Sequence, residues 1–246
     1  MSVRHHLALT GARTLRTTPL ALTERAVRDI VSARAMGVIH GPAGCGKTFA
    51  WESAVALVDT PVCALQFPSR PSMLRVARVL LQKLTGTVPK GNRFDLSDEL
   101  IDFLTERDLL VVIDEAQWLN RECIEYLRHL HDDPATRFGL LLAGGDGCWE
   151  VLSREPMLRS RLHRRVTFSP LDRAAVLQAI PAYHALYLDS SPELIGLIDD
   201  VFAHGNLRAW AEFTHTALEI LGGRGQLTET VARAVIALHD GGDLAA

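Results

Sequence analysis

The sequence predicts an α/β protein, a parallel central sheet flanked by helices, followed by a small all-α domain. Three observations carry this expectation. Short apolar runs alternate with helical stretches from Met36 to Phe168, the order that builds a parallel sheet. One strand-to-helix joint is the glycine-rich run Gly41-Pro42-Ala43-Gly44-Cys45-Gly46-Lys47-Thr48. Beyond Pro170 the strands stop and only helical patterns remain.

Each element has a local reason. Residues 1–19 read as a polar basic arm with Arg4, Arg13 and Arg16, and His5-His6 as part of a solvated tail. Leu22–Ala35 is expected as the first helix, with Thr23 at its cap. Met36–His40 is a short buried strand, and Thr48–Leu57 the helix that leaves the glycine-rich run. Pro61–Phe67 is a second strand, closed by the turn Pro68-Ser69-Arg70-Pro71. Ser72–Thr85 repeats Leu74, Ala77, Leu81 and Leu84 at helical spacing, sets Arg75, Arg78 and Gln82 on the opposite face, and stops at Gly86. Thr87–Arg93 is a loop, and Ser97–Glu106 a helix. Leu109–Ile113 is continuously apolar, as a strand covered on both faces must be. Asn120 caps a helix that ends before Pro134. Phe138–Ala143 is another buried strand, and Val166–Phe168 the last.

In the C-terminal part, Leu171–Tyr187, Pro192–His204, Leu207–Leu221 and Thr228–His239 read as helices. Ser191-Pro192 is a helix start, Gly205 a stop, and Pro181 is expected to break or kink its helix. The domain reading is thus a basic arm at 1–19, a nucleotide-binding core at 20–170 and a helical lid at 171–246.

Composition narrows the class. Apolar residues make up 48% of the 246 and charged ones 22%, which suits a globular chain with a sizeable core. No apolar run reaches the length of a membrane span, and the N-terminus lacks the apolar stretch of a signal peptide. The four cysteines form no C-x-x-C pair, so a metal or disulfide framework is not expected and a reducing cytoplasm is. The net charge of −3 does not announce a nucleic-acid binder, but its distribution is uneven. Between Asp59 and Asp95 no acid occurs, while Arg70, Arg75, Arg78, Lys83, Lys90 and Arg93 do. A further cluster is Arg154, Arg159, Arg161, Arg164 and Arg165. Such segments create positive surface on a near-neutral protein and would supply contacts to a phosphate backbone.

The run Gly41–Thr48 fits G-x-x-x-x-G-K-[ST] at every fixed position. Glycines let successive backbone N–H groups wrap an anion, and the N-terminus of the following helix favours the same charge. Lys47 would reach the β and γ phosphates of ATP, and the Thr48 hydroxyl would ligate Mg²⁺. The whole run, Gly41, Pro42, Ala43, Gly44, Cys45, Gly46, Lys47 and Thr48, together with Phe49, is the expected nucleotide-binding segment. The apolar strand ends in Asp114-Glu115-Ala116-Gln117, at the edge where parallel sheets bind ligands. Asp114 would hold Mg²⁺, and Glu115 would orient or deprotonate an attacking water.

This arrangement resembles the AAA+ branch of the phosphate-loop ATPases. Asp114-Glu115-Ala116-Gln117 is similar to the signature of the ExeA/TniB/Mu-B group. The resemblance implies an arginine acting on the neighbouring subunit's nucleotide. Arg161, in Leu158-Arg159-Ser160-Arg161-Leu162, fits best, with Arg159, Arg164 and Arg165 as rivals. It implies a second sensor in Gly205-Asn206-Leu207-Arg208, where Arg208 reaches back to the γ-phosphate. The first sensor departs from the family: Gly145 stands where a polar side chain is usual, and the resemblance therefore implies slow hydrolysis.

The favoured expectation is a TniB-like helper ATPase of transposition. It would oligomerise with itself on double-stranded DNA, as a ring or helical filament, and recruit a transposase without reading bases. Two alternatives stand beside it. One is an ExeA-like or signalling ATPase acting on protein partners. The other is a replication initiator or helicase loader, against which counts a sequence ending at Ala246 with no winged-helix segment after the lid.

Overall fold

The computed structural model describes residues 5–223 and 225–239. Five strands form one parallel sheet in the order β2-β3-β4-β1-β5. They are β1 (Met36–His40), β2 (Val62–Gln66), β3 (Leu109–Asp114), β4 (Phe138–Gly144) and β5 (Leu162–Thr167). The inner strands β3, up to its last residue Asp114, and β4 are apolar and buried along nearly their whole length. The edge strands β2 and β5 expose alternate residues. This is the burial a parallel sheet imposes when helices cover both faces.

The chain divides into two compact units. One comprises residues 18–43 and 50–168 and contains the sheet. In it α1 (Thr18–Ala33) crosses the sheet where β1 and β4 carry Gly37 and Gly139. A Cβ at Gly139 would sit 3.0 Å from Ile30 Cγ2, so the glycines let the helix approach. α3 (Met73–Thr85), α4 (Arg93–Glu106) and α5 (Arg121–Asp132) close the other apolar layer around Leu80, Leu100, Val111 and Leu130. Two short helices, α6 (Cys148–Ser153) and α7 (Pro156–Arg159), follow β4. They have too few turns for periodicity to reveal them.

The other unit comprises, among the described residues, 5–17, 44–49 and those from 169 to 239, and holds the lid helices α8 (Arg173–Tyr183), α9 (Pro192–Ile198), α10 (Leu207–Ile220) and α11 (Glu229–His239). Trp210, Tyr187 and Phe213 are fully buried at its centre. The Tyr187 and Trp210 rings meet edge-to-face at 5.6 Å, and the Tyr187 hydroxyl pairs with Thr214 at 2.7 Å. The helix α2 (Lys47–Val55) starts in this unit and ends in the sheet unit.

Several sequence expectations are corrected here. Residues 1–4 of the expected arm lie outside the described residues, but residues 5–17 do not form a solvated tail. Leu9 is buried with the lid core, and the Arg13 N–H donates to Tyr183 O at 2.7 Å. Apolar Leu9, with Leu15 partly buried against the same core, supplies the driving force that the Arg/Thr content disguised. α1 begins at Thr18, earlier than expected. α4 begins at Arg93, because Asn92 and Asp95 form a capping box where a loop was expected. The buried face of α3 is centred on Met73, Val76, Ala77, Leu80 and Leu81. That rotation carries Arg78 off the open face: its Nε is buried and has no hydrogen-bond partner among the described residues. Pro181 lies inside α8, which ends two residues later at Tyr183, short of the expected Tyr187, and a separate 3₁₀ turn follows at Ala185–Tyr187.

Candidate nucleotide site

The glycine-rich run connects β1 to α2, as the sequence requires. Gly41, Gly44 and Gly46 all take positive φ, +145°, +78° and +89°, conformations that side chains resist. Space forbids a side chain as well. A Cβ at Gly41 would overlap the Phe168 carbonyl, and one at Gly44 would overlap the Asn206 side chain. The loop is thus pinned from two directions by neighbours inside its own units.

Within the lid unit the second half of the loop rests on the start of α10. Asn206 caps that helix, its Oδ1 accepting from Arg208 N at 3.0 Å and Ala209 N at 3.2 Å. The Arg208 N–H also donates to Gly44 O at 3.0 Å. The structure therefore brings Arg208 to the phosphate loop through its backbone, and its side chain is exposed. Phe49, one residue past Thr48, packs against the His5 ring at 5.1 Å. Burial pushes the His5 imidazole below its usual pKa.

The entry into α10 is held by a buried carboxylate. Asp199 starts a π-helical turn and is only 6% exposed. Its Oδ1 accepts from Gly205 N at 2.7 Å and from Trp210 Nε1 at 3.3 Å. His204 and Gly205 both take positive φ here. Asp199→Ala would leave two buried donors without an acceptor, each costing roughly 1–3 kcal/mol. The expected outcome is a stability loss of about 2–4 kcal/mol in denaturant unfolding. An unchanged unfolding midpoint would show that the carboxylate does not hold this turn.

Within the sheet unit, β3 delivers Asp114 and Glu115 to its C-terminal end. Asp114 Oδ2 accepts from Trp51 Nε1 at 3.2 Å, and Oδ1 accepts from Glu115 N at 2.8 Å. Burial and the charge of Asp114 raise the pKa of Glu52, the residue after Trp51 on α2. Trp51 and Glu52 follow Thr48 by three and four residues, the spacing of one helix face. Glu115 occupies the left-handed region at φ +56°, unusual for a side chain with a Cβ and a frequent mark of functional sites. A 3₁₀ turn, Ala116–Trp118, follows at once.

The arginines of the second cluster separate. Arg161 Nε donates to Asp132 Oδ1 at 2.6 Å and its Nη1 to Met157 O. Arg164 pairs with Asp29 at 2.8 Å, holding that carboxyl below its usual range. Arg165 lies over the Trp149 ring, and Arg159 ends α7 on the surface. Of the first cluster, Arg70, Arg75, Lys83, Lys90 and Arg93 are exposed. None of these five pairs with a carboxylate among the described residues, whereas Arg25, Arg34, Arg128, Arg161, Arg164, Arg173 and Arg233 do.

Sequence reasoning missed Asn206, Trp51 and Asp199, whose roles depend on neighbours far along the chain. It quoted Gln117 only as part of a signature. The signal for Asn206 was present, a capping residue directly before a helix.

A parallel sheet ordered β2-β3-β4-β1-β5, a glycine loop after β1 and an acidic pair after β3 define a phosphate-loop nucleotide-binding protein. Residues 28–152, just over half of the chain, match the family model described as the AAA domain, and the chain belongs to that family. The fold is shared with the ORC2 protein of Aeropyrum pernix in its ADPNP–ADP complexes. That likeness has a TM-score of 0.66 at 20% identity over 92% of this chain and 69% of that one. Cdc6p from Pyrobaculum aerophilum aligns with a TM-score of 0.68 at 17% identity, over 88% and 65% of the two chains. The Holliday junction branch migration motor RuvB of Thermotoga maritima aligns with a TM-score of 0.61 at 16% identity, over 91% and 69%. No curated protein matches the sequence. Among the described residues no helix is long and apolar enough to cross a membrane.

Proposed function

We propose that this protein is an ATPase that oligomerises on double-stranded DNA and recruits a transposase to it. The observation that carries the ATPase reading is the phosphate loop after β1 joined to the Asp114-Glu115 pair at the end of β3. The residues suit ATP and Mg²⁺. Three positive-φ glycines leave backbone N–H groups for phosphate oxygens, and a threonine hydroxyl with a carboxylate is a hard oxygen donor set. Gly41 to Thr48, with Phe49 beside them, would hold the nucleotide. Lys47 would bind the β and γ phosphates, and Thr48 and Asp114 the metal. Bound Mg²⁺ would supply charge neutralisation on the phosphates.

Glu115 takes the proton of the attacking water, while Arg208 orients the γ-phosphate from the lid. Arg161 acts in trans on the neighbouring subunit's nucleotide. Doing so requires release of its ion pair with Asp132, which is partly exposed and worth only about 0–1 kcal/mol. Subunit contact can repay that. Hydrolysis then loosens a homo-oligomeric ring or filament.

The DNA reading is supported by the unneutralised cations Arg70, Arg75, Lys83, Lys90 and Arg93, which run from the turn before α3 to the start of α4. Five exposed charges without carboxylate partners are available to phosphates. Arg25, Arg34, Arg128, Arg161, Arg164, Arg173 and Arg233, by contrast, are already paired with carboxylates. DNA binding is expected to be ATP-dependent, tolerant of sequence and steeply salt-sensitive. Arg75→Glu with Lys83→Glu should weaken DNA binding at least tenfold and flatten the salt slope by about one per lost phosphate contact, with ATP affinity unchanged. A titration with ATP, ADP and no nucleotide at several salt concentrations checks this. No binding at low salt in any nucleotide state would hand the site to a protein partner.

A further inference from the structure

The glutamine of Asp114-Glu115-Ala116-Gln117 does something its place in a signature does not explain. Its side-chain amide bridges two groups. Gln117 Nε2 donates to Glu115 Oε2, and Gln117 Oε1 accepts from the Gly145 N–H at 2.9 Å. The orientation of the amide follows from chemistry. A carboxylate only accepts and a backbone N–H only donates, so NH₂ must face Glu115 and the oxygen must face Gly145. A carboxamide offers a donor and an acceptor at the ends of one rigid plane whatever the pH.

The end of β4 is shaped for this bridge. A Cβ at Gly144 would come within 2.6 Å of Gln117 Oε1 and 2.8 Å of Cys148 Cβ, so a side chain there would expel the amide. A Cβ at Gly145 would lie 3.4 Å from Gln117 Nε2. The amide thus stands next to the position where the sequence lacks a polar side chain.

We infer that Gln117 is the positioning residue for Glu115, tying its carboxylate to the backbone at the end of β4. The inference rests on the hydrolysis reading above. One donor on Oε2 leaves Oε1 to receive a proton from water, and the bridge fixes the rotamer of a residue whose backbone is already held in the left-handed region. Gln117 fills, from the strand β3 side, the place that Gly145 leaves open on β4. It makes the orientation of Glu115 depend on the position of that strand end.

The test compares the wild-type chain with Gln117→Leu and Gln117→Glu, using ATP with Mg²⁺. Gln117→Leu should lower kcat at least tenfold while KM for ATP stays within twofold and the melting temperature is little changed. Gln117→Glu supplies a conservative rescue. When its carboxyl is protonated it can donate to Glu115 and accept from Gly145 as the amide does. Its kcat should therefore exceed that of Gln117→Leu and recover towards the wild type as the pH is lowered. The acid beside this pair is Asp114 on β3, with Glu52 on α2 next to Asp114 in turn, and both are common to all variants. A readout independent of nucleotide is hydrogen exchange at the Gly145 amide, which should quicken at least tenfold in Gln117→Leu. Wild-type kcat in Gln117→Leu, or a loss shared between kcat, KM and melting temperature, overturns the assignment. Unchanged Gly145 exchange removes the bridge itself. Wild-type protein that binds ATP without turning it over would instead sink the hydrolysis reading, and the exchange result would still decide whether the bridge exists.

Discussion

Lys47→Ala is expected to remove ATP binding. The lysine starts α2 at the end of a loop whose glycines take positive φ, the conformation proposed to present backbone N–H groups to an anion, and it would contribute the full positive charge there. Truncating one partner of a largely desolvated, hydrogen-bonded charge pair costs about 2–5 kcal/mol. At about 1.4 kcal/mol per decade, ATP affinity should fall by roughly 30- to 3,000-fold. Isothermal titration or fluorescent-nucleotide binding measures this directly. The fold should survive, because Lys47 is only partly buried and the core of each unit lies elsewhere. Normal ATP affinity in a folded Lys47→Ala protein would refute the site. If ATP drives oligomerisation, assembly on DNA should be lost in the same variant.

Glu115→Gln has the second largest expected effect, and it differs in kind. A neutral amide cannot take a proton from water, and a positioned general base contributes about 10²–10⁴ in rate. Turnover should therefore fall about 100-fold or more while ATP affinity is kept, because the carboxylate is not among the groups proposed to hold the phosphates. The protein should accumulate as an ATP-bound oligomer on DNA, visible by light scattering or electron microscopy. Unchanged turnover would exclude Glu115 as the base. The pair of variants separates two failures: one stops loading, the other stops discharge. Gln117→Leu is expected to resemble Glu115→Gln in a weaker form, since it disturbs the orientation of the base and leaves its charge.

Much of this site was legible in the chain because its chemistry is local. Gly41 to Thr48 needs no tertiary contact to be recognised, since positive φ, a lysine and a hydroxyl must occur together to cradle phosphate. The five apolar blocks announced the sheet, and β3 and β4 were placed almost to the residue because strands buried on both faces cannot hide their composition. β5 was only half visible, since Leu162-His163-Arg164-Arg165 is mostly polar and only alternately part-buried at a sheet edge. Residues 5–17 were misjudged for a related reason. Scattered leucines among arginines and threonines carry no periodicity, and only the lid surface that receives Leu9 gives them meaning.

Glu115 and Gln117 mark the boundary between what the chain and the fold decide. The sequence by itself determined that a phosphate loop and an acidic strand end exist, because both are runs of adjacent residues whose types dictate their chemistry. Only the tertiary structure decided that Gln117 reaches Gly145 on β4, that Asn206 and Arg208 meet Gly44, and that Arg161 is paired with Asp132 while Arg75 and Lys83 are not. These are pairings between residues tens to well over a hundred positions apart. Hydrogen bonds act over about 3 Å and carry no trace in local composition, so the packing of strands and helices alone determines which side chains come within reach.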